Sequence, residues 1–383
     1  MVEFNRTDRG VCTDGFTAYG FKDGKYGLAL IKADRVCTAV GVFTKNSVQA
    51  AHVILDKPLL KGGLQAIAAN SGNANACMPE GLKDARRIQK AAAKALGVSP
   101  KNLAVASTGI IGRRIDASIL EERIRHVAPR MSPNGSMEAA KAIMTTDKTP
   151  KQYSIEYGGI QVGGICKGAG MIAPNMATML CFITTNADLE RGTMQKALNE
   201  AVEDTFNMIT VEGDMSTNDT VIVMSTRKKK CSKKIFSEML REVSREISKM
   251  IVRDAEGATK FIEFNLTGAR SAREAREAAK AVVNSPLVKT AFYGENPNWG
   301  RIIAAIGARI KVDYRKVDLT FRAEKESVQI VKKGVMGDLE KAKAVMKSRE
   351  ITVDCNLNCG KHKATAWSCD LTEEYVRINA GYN

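Results

Sequence analysis

Residues 163–183 form the most informative segment of the chain and read GGICKGAGMIAPNMATMLCFI. Glycines at 163, 164, 168 and 170 free the backbone to take unusual dihedral angles or to approach a ligand closely. The second half is a continuous apolar run, which is typical of a β-strand buried on both faces. The pattern therefore predicts a glycine-rich loop that leads into a buried strand, with Thr178 as the polar residue at the junction.

Strand-like and helix-like stretches alternate on both sides of this segment, which indicates an α/β architecture. Helices are expected over 80–96, 188–206, 235–252 and 271–283, with Gly97 ending the first and Asn186 in the cap region of the second. Strands are expected over 66–69, 103–106, 179–184, 221–224, 351–357 and 364–371. A loop near residue 284 is expected to separate a main catalytic domain, 1–284, from a smaller C-terminal α/β domain, 285–383.

The composition is that of a soluble globular protein. The 383 residues are 44% hydrophobic and 26% charged, which excludes wholesale disorder, and no apolar run reaches the roughly 20 residues that cross a bilayer. The start, MVEFNRTDRG, lacks the apolar core of a secretory signal, so we expect a cytoplasmic protein without a membrane partner. Nine scattered cysteines are then expected to be reduced thiols, mostly in the core.

The net charge of +16 includes one dense basic run, RKKKCSKK at 227–234. A nucleic-acid site normally pairs such a run with aromatic side chains or a reading helix, and no aromatic residue interrupts this one. We therefore expect a solvated loop and no nucleic-acid partner. A general attraction for small anions remains compatible with the charge.

Thr178 admits two interpretations. Buried strands tolerate threonine easily, so a strand-end residue with a satisfied hydroxyl is the simpler one. A nucleophile would need a base, and His52, His126 and His362 lie in no recognisable triad context. Cleavage of the preceding bond would instead free the α-amine of Thr178, whose reference pKa of about 7.7–8.0 suits a base near neutral pH. The residues alone leave both interpretations open.

Two other site types are disfavoured by spacing. Cys355, Cys359, His362 and Cys369 follow C-x3-C-x2-H-x6-C, which fits no strong zinc pattern, so we expect no metal and interpret Cys355 and Cys369 as core thiols of a β-hairpin. The glycines at 163–170 lack both the dinucleotide fingerprint and the lysine–serine pair of a phosphate-binding loop. No organic cofactor is therefore expected.

Seven ordered motifs resemble those of the ornithine acetyltransferase family, the glutamate N-acetyltransferases of arginine biosynthesis. Residues 167–180 resemble the family's self-cleavage motif, 107–112 its oxyanion-hole loop and 143–147 its substrate-binding turn. The motifs are NSGNANAC (70–77), STGIIG (107–112), IMTTD (143–147), KGAGMIAPNMATML (167–180), DAEGATK (254–260), TAFYGENPNWGR (290–301) and INA (378–380). They extend over nearly the whole chain, so chance is a poor explanation, and the nucleophile interpretation of Thr178 becomes the main one.

The resemblance implies a layered α/β/β/α sandwich of the ornithine acetyltransferase and aminopeptidase type, with a smaller C-terminal α/β part. It implies self-cleavage between Ala177 and Thr178 into chains 1–177 and 178–383, which stay associated as a heterotetramer. The freed Thr178 then carries an acetyl group from N2-acetylornithine to glutamate in a ping-pong reaction. Some family members also accept acetyl-CoA, and one sequence leaves open which kind this is.

The resemblance also implies roles for individual residues. Thr108 and Gly109 would stabilise the oxyanion. Substrate contacts would come from Thr145, Lys167, Thr178, Glu256 and Asn379. The charged types suit amino-acid substrates, because a lysine can bind a carboxylate and a glutamate can bind an ammonium group.

Two departures from the family pattern concern the site. Glu212 and Met215 stand where an aspartate and a small polar residue are expected. Family members usually continue to a terminal serine or threonine that touches substrate, whereas this sequence stops at Asn383, so either Asn383 makes that contact or the pocket closes differently. The rival enzyme is an N-terminal-threonine aminopeptidase or amidase of the same fold, with water as acceptor.

Overall fold

A computed structural model describes residues 2–172, 179–324 and 326–381. The strands are β1 (Asn5–Thr7), β2 (Phe16–Asp23), β3 (Tyr26–Phe43), β4 (Leu64–Ser71), β5 (Leu103–Ser107), β6 (Lys151–Tyr157), β7 (Ile160–Lys167), β8 (Leu180–Asp188), β9 (Ile209–Thr210), β10 (Thr220–Lys230), β11 (Phe261–Ala269), β12 (Asp318–Ala323), β13 (Glu326–Lys332), β14 (Val335–Met336), β15 (Glu350–Asn356) and β16 (His362–Cys369). The helices are α1 (Ala51–Leu59), α2 (Gly81–Leu96), α3 (Ala117–Val127), α4 (Ser136–Ala142), α5 (Arg191–Asp204), α6 (Lys233–Arg253), α7 (Ala272–Val283), α8 (Pro286–Tyr293), α9 (Trp299–Gly307), α10 (Leu339–Met346) and α11 (Glu373–Ala380).

The chain packs as two compact units that are interleaved along the sequence. Of the described residues, the first unit comprises 2–168, 179–206 and 215–251, and the second comprises 169–172, 207–214 and 252–381 without 325. The division into a main catalytic domain, 1–284, and a smaller C-terminal domain, 285–383, remains a prediction.

The first unit has one long sheet that is bent through β3. Its strand order is β1-β6-β7-β8-β10-β3-β4-β5, and β2 also pairs with β3. The first part of β3 pairs with β4 and its last part pairs with β10, with a shift in register between Lys32 and Cys37 on the β4 side. One strand therefore belongs to two halves of the sheet.

The two halves pack face to face. Ile67 of β4 and Phe182 of β8 belong to one buried cluster between them. On the outer face of the β4–β5 half, Val105 packs with α2 and α3 in a second cluster. On the outer face of the other half, Ile247 of α6 lies 3.4 Å from where a Gly164 Cβ would stand. These layers confirm the expected α/β/β/α class, because each sheet face is covered by another layer.

The expected helices are present, but the predicted N-terminal boundary of one of them is wrong. α2 ends at Gly97, which takes the left-handed conformation (φ 64°), and the Ser271 side chain caps α7 by accepting from the Glu274 N–H. α5 does not begin near Asn186, because β8 continues to Asp188. The buried Asn186 side chain pairs with residues of the neighbouring β7 region instead of capping a helix.

The basic run is solvated, as expected, but it is not a loop. Residues 227–230 are the exposed end of β10, and α6 begins at Lys233. Arg227 pairs with Asp188 at 2.6 Å, and Lys228 lies 3.0 Å from Asp14 and 2.8 Å from Asp34. Part of the charge is therefore neutralised by acidic residues far away in the sequence, which the local pattern did not reveal.

The second unit contains a mixed sheet of order β14-β13-β12-β15-β11-β16-β9. Cys355 of β15 and Cys369 of β16 are buried, as expected, but the predicted hairpin is wrong because β11 lies between these strands and pairs with both. Within the described ranges, no group of three or more metal-ligating side chains is placed to hold a metal ion. Nor does any described helix combine the length and apolarity needed to span a bilayer.

Candidate active site

The expected nucleophile and cleavage site, Thr178 and Ala177, lie outside the described residues, as does Asn383. The neighbouring Met179 is anchored, because its carbonyl oxygen accepts from the Thr220 N–H at 2.9 Å. From Leu180 the chain runs as the buried strand that the apolar pattern predicted.

Thr108 and Gly109 lie where β5 ends and where the loop at 70–77 packs against it. The Thr108 N–H donates to the Asn70 carbonyl at 3.0 Å, and Asn73 of the 70–77 loop forms β-bridges with Thr108 and Ile110. Gly109 has φ 131°, and a Cβ there would lie 2.3 Å from the Gly72 carbonyl carbon. Only glycine fits this position, because other residues rarely adopt that backbone and would collide with the facing loop. Since the Thr108 N–H is already bonded, the hydroxyl of Thr108 and the N–H of Gly109 are the donors that suit an oxyanion.

Asn218 was not among the predicted site residues, yet it joins these two loops. Its side-chain amide donates to the carbonyl oxygens of Ala74, at 2.6 Å, and Ser107, at 2.7 Å. The Ser107 hydroxyl in turn donates to the Asn70 side chain at 2.7 Å. Asn218 is 5% exposed, so its hydrogen bonds are shielded from water and order both loops. The sequence signal that could have found it is the polar stretch VEGDMSTND at 211–219, of which only Glu212 and Met215 entered the sequence predictions.

Asp147 holds the turn that bears Thr145. Its carboxylate accepts from the Thr145 N–H at 2.9 Å, from the Gly168 N–H at 2.7 Å and from the Lys151 ammonium at 2.7 Å. Burial raises the pKa of Asp147, but the ammonium groups of Lys167 and Lys151 and these hydrogen bonds outweigh it and hold the pKa below its ordinary value. The ionised carboxylate thus ties the Thr145 turn to the start of the glycine-rich loop.

Lys167, at the end of β7, is 8% exposed. Its charge acts on Asp147 and on Lys22, a lysine of β2 that sequence reasoning did not single out. Lys22 donates to the Met144 carbonyl at 2.6 Å, so it reaches the same turn. The structure therefore brings Thr145 and Lys167, both predicted, together with three charged residues that were not predicted.

Glu256 and Asn379 meet in the second unit. The Asn379 amide donates to the Glu256 carboxylate at 2.8 Å, and the Glu256 N–H donates to the Ala169 carbonyl at 2.9 Å. A Cβ at Gly170 would lie 2.4 Å from the Glu256 carboxyl carbon, so glycine allows this carboxylate to pack on the loop backbone. Two residues predicted from distant motifs therefore contact each other.

Glu212, one of the two departures from the family pattern, also holds the glycine-rich segment. Its carboxyl group accepts from the Ile172 N–H, while the Ile172 carbonyl accepts from the Val211 N–H at 2.7 Å. Burial raises the pKa of Glu212 to about 8; the Ile172 hydrogen bond opposes this rise and the carboxylates of Glu256 and Asp214 add to it. A longer side chain than aspartate thus still finds a backbone partner.

His52 is a structural histidine in the first unit. Its Nε2 lies 3.1 Å from the Asn218 carbonyl and 3.0 Å from the Thr220 hydroxyl. Burial lowers the pKa of His52 to about 4, so the ring is neutral near pH 7. It therefore supports the segment that carries Asn218.

The layered α/β/β/α fold, together with the relatives described next, defines an acyltransferase. Comparison with known sequences narrows the class: the chain belongs to the ArgJ family, whose model matches residues 14–383. It is 44% identical to the glutamate N-acetyltransferase of Methanocaldococcus jannaschii, over 96% of this chain and 96% of that one. It is 45% identical to the glutamate N-acetyltransferase of Methanosarcina acetivorans, over 98% of this chain and 99% of that one. It is also 43% identical to the arginine biosynthesis bifunctional protein ArgJ of Symbiobacterium thermophilum, covering 97% of this chain and 95% of that one.

Proposed function

We propose that this enzyme transfers the acetyl group of N2-acetylornithine to glutamate, giving ornithine and N-acetylglutamate in arginine biosynthesis. The observation that carries the proposal is the near-complete match to relatives named glutamate N-acetyltransferase, at 44% and 45% identity. The packing of Gly109 against the facing loop and the contact between Glu256 and Asn379 support it, because they bring together residues from separate motifs.

The first step is self-cleavage. The Thr178 hydroxyl attacks the Ala177 carbonyl, the C–N bond to Thr178 breaks, and the acyl group moves from nitrogen to oxygen. Water then hydrolyses the ester, which leaves a carboxylate on Ala177 and a free α-amine and hydroxyl on Thr178. Nucleophile and base thus arise in one residue, without a histidine.

The second step is acetyl transfer. The Thr178 hydroxyl gives its proton to its own amine and attacks the acetyl carbonyl, and the Thr108 hydroxyl and Gly109 N–H stabilise the oxyanion. The C–N bond to ornithine breaks as the leaving amine takes the proton, which leaves an acetyl ester on Thr178. The glutamate amine attacks that ester by the same steps in reverse. Each donor to the oxyanion is worth about 2.7–4 kcal/mol in a comparable site.

Recognition of the substrates follows from charge. Lys167 binds the substrate carboxylate and Glu256 the ornithine ammonium group, while Thr145 and Asn379 add neutral hydrogen bonds. The Asp147 hydrogen bonds to the Thr145 and Gly168 N–H groups support this assignment, because they fix the backbone around two of the proposed contacts. Asn379 likewise orients the Glu256 carboxylate.

Two alternatives concern the acyl donor and acceptor. In an aminopeptidase or amidase of the same fold, water would replace glutamate, and acetylornithine would be consumed without an acceptor. Acetyl-CoA is a second donor in some family members, and among the relatives described above both the name glutamate N-acetyltransferase and the name bifunctional protein ArgJ occur. We propose no other cofactor, a cytoplasmic location and a heterotetramer of two of each cleaved chain.

The deciding experiment combines intact mass with an assay. Purified protein under denaturing conditions should give two chains divided between Ala177 and Thr178, whereas the Thr178→Ala variant should give one chain of 41.6 kDa. The cut protein should release ornithine from acetylornithine over many turnovers only when glutamate is present, and should release at most one equivalent per active site without it. Acetyl-CoA is then offered as the acetyl donor instead of acetylornithine. Uncut wild-type protein after warm incubation would remove the proposed base, and continued release of ornithine beyond one equivalent per site without glutamate would favour the amidase.

A further inference from the structure

Lys22 extends from β2 to the turn that carries Thr145. It lies opposite Gly27 of β3 near the end of the β2–β3 hairpin, and its side chain is half-buried. The ammonium group donates to the Met144 carbonyl at 2.6 Å. An ammonium group has three donors, so this bond leaves two others for a ligand.

The charges around this turn do not balance. Asp147 pairs with Lys151 at 2.7 Å, and both side chains are almost fully buried, so their charges cancel. Lys167 and Lys22 remain, and each acts electrostatically on the same carboxylate. The four side chains therefore carry two positive charges in excess.

The two remaining lysines are in an environment that favours an added anion. Burial lowers the pKa of Lys22, the Asp147 carboxylate opposes that change and the Lys167 charge adds to it. Lys167 is 8% exposed, and none of the residues that the structure describes forms a hydrogen bond or ion pair with its ammonium group. A partly buried cation without a partner is costly, and a carboxylate ligand would remove that cost.

We propose that Lys22 is a second cation of the substrate carboxylate subsite, acting beside Lys167. The proposal rests on the proposed function, since it concerns the α-carboxylate that acetylornithine and glutamate share. A carboxylate has two oxygens and accepts charge-assisted hydrogen bonds from two ammonium groups. Lys22 is thereby a binding residue located more than a hundred positions before the motif that contains Lys167.

A purely structural role makes a different prediction. If Lys22 only held the Met144 carbonyl, its loss would disturb the turn for every substrate alike. If Lys22 binds the carboxylate, its loss should matter most for substrates that carry one. The discriminating quantity is therefore the ratio of kcat/KM for N2-acetylornithine to that for its carboxamide, N2-acetylornithinamide.

The experiment compares the wild type with Lys22→Met, Lys22→Arg and Lys25→Met. The last is a matched control, because Lys25 is an exposed lysine in the same hairpin. Lys22→Met should lower the carboxylate-to-carboxamide ratio roughly tenfold or more, Lys22→Arg should restore part of it, and Lys25→Met should leave it unchanged. An equal loss for both substrates, or no loss, would overturn the proposal.

Calorimetric titration of the same proteins with the same two compounds separates this inference from the function on which it rests. If the wild type transfers no acetyl group, the proposed function fails, and binding still decides the role of Lys22. Preferential binding of the carboxylate that is lost in Lys22→Met supports the subsite. Binding without that preference in the wild type, or an unchanged preference in the variant, refutes it.

Discussion

The side-chain amide of Asn218 donates at 2.7 Å to the carbonyl oxygen of Ser107, the residue immediately before Thr108. The N–H of the same peptide group donates to the Asn70 carbonyl at 3.0 Å. Both ends of the peptide between Ser107 and Thr108 are therefore fixed by buried partners. Thr108 is thus held by residues from two other parts of the chain before any substrate arrives.

Replacing Asn218 by aspartate should impair catalysis more than substrate binding. The new carboxylate would face the carbonyl oxygens of Ala74 and Ser107 and repel them, so the oxyanion loop would shift. A misplacement of about 1 Å costs roughly a hundredfold in rate, and we expect kcat to fall by about that factor with little change in KM. Asn199→Asp, on the exposed side of α5, is the control. A rise in KM at unchanged kcat would contradict this role.

Gly109→Ala should abolish most activity in a protein that still folds. The added Cβ would stand 2.3 Å from the Gly72 carbonyl carbon and 2.5 Å from the Asn73 nitrogen, so the two loops must separate. We expect a loss of kcat of about 10²–10³-fold, as for removal of an oxyanion donor. Gly62→Ala is a suitable comparison, because a Cβ there meets nothing within 4 Å. Near-normal turnover in Gly109→Ala would exclude an oxyanion role for its N–H.

Asp147→Asn should destabilise the first unit, because it removes the carboxylate that the buried Lys151 ammonium group contacts at 2.7 Å. Breaking a buried pair in this way costs about 3–5 kcal/mol. The double variant Asp147→Asn with Lys151→Met should recover part of the lost stability, since it removes both charges. Denaturant unfolding of the two variants in the uncut Thr178→Ala background tests the expectation. Equal stability of single and double variants would show that the pair does not depend on charge.

Glu212 should make stability depend on pH between about 4.5 and 8. Because its folded pKa is raised to about 8, the folded chain holds a proton that the unfolded chain has lost in this window. The free energy of unfolding should therefore fall as pH rises, by at most about 1.4 kcal/mol per unit, and level off above pH 8. Three charged groups act on this titration: the carboxylates of Glu256 and Asp214 raise the pKa of Glu212, and the ammonium group of Lys289 lowers it.

Glu212→Gln isolates this contribution, because glutamine keeps the shape without the titrating proton. In the uncut Thr178→Ala background, the variant should lose less stability than its parent between pH 5 and 8. Thermal unfolding at fixed ionic strength measures the difference. Parallel pH profiles for the two proteins would place the Glu212 pKa near its ordinary value.

Local patterns predicted much of the fold. Three predictions that depend only on neighbouring residues were confirmed: the buried strand after Thr178, the end of α2 at Gly97 and the strand expected over 351–357. The errors have one cause. The prediction that β15 and β16 form a hairpin was wrong, because β11, about eighty residues earlier in the sequence, lies between them. The prediction of a loop at 227–230 was wrong, because β8 pairs with that part of β10.

The sequence by itself determined the α/β class, because local patterns set strands and helices. Through the resemblance of its ordered motifs it also implied the acyltransferase family and the candidate residues Thr108, Gly109, Thr145, Lys167, Glu256 and Asn379. Only the tertiary structure decided which polar residues hold them. Asn218, Asp147 and Lys22 reach the candidate residues through hydrogen bonds and charges that act between distant segments. Such partners depend on how strands and loops pack, so they cannot be predicted from residue spacing along the chain.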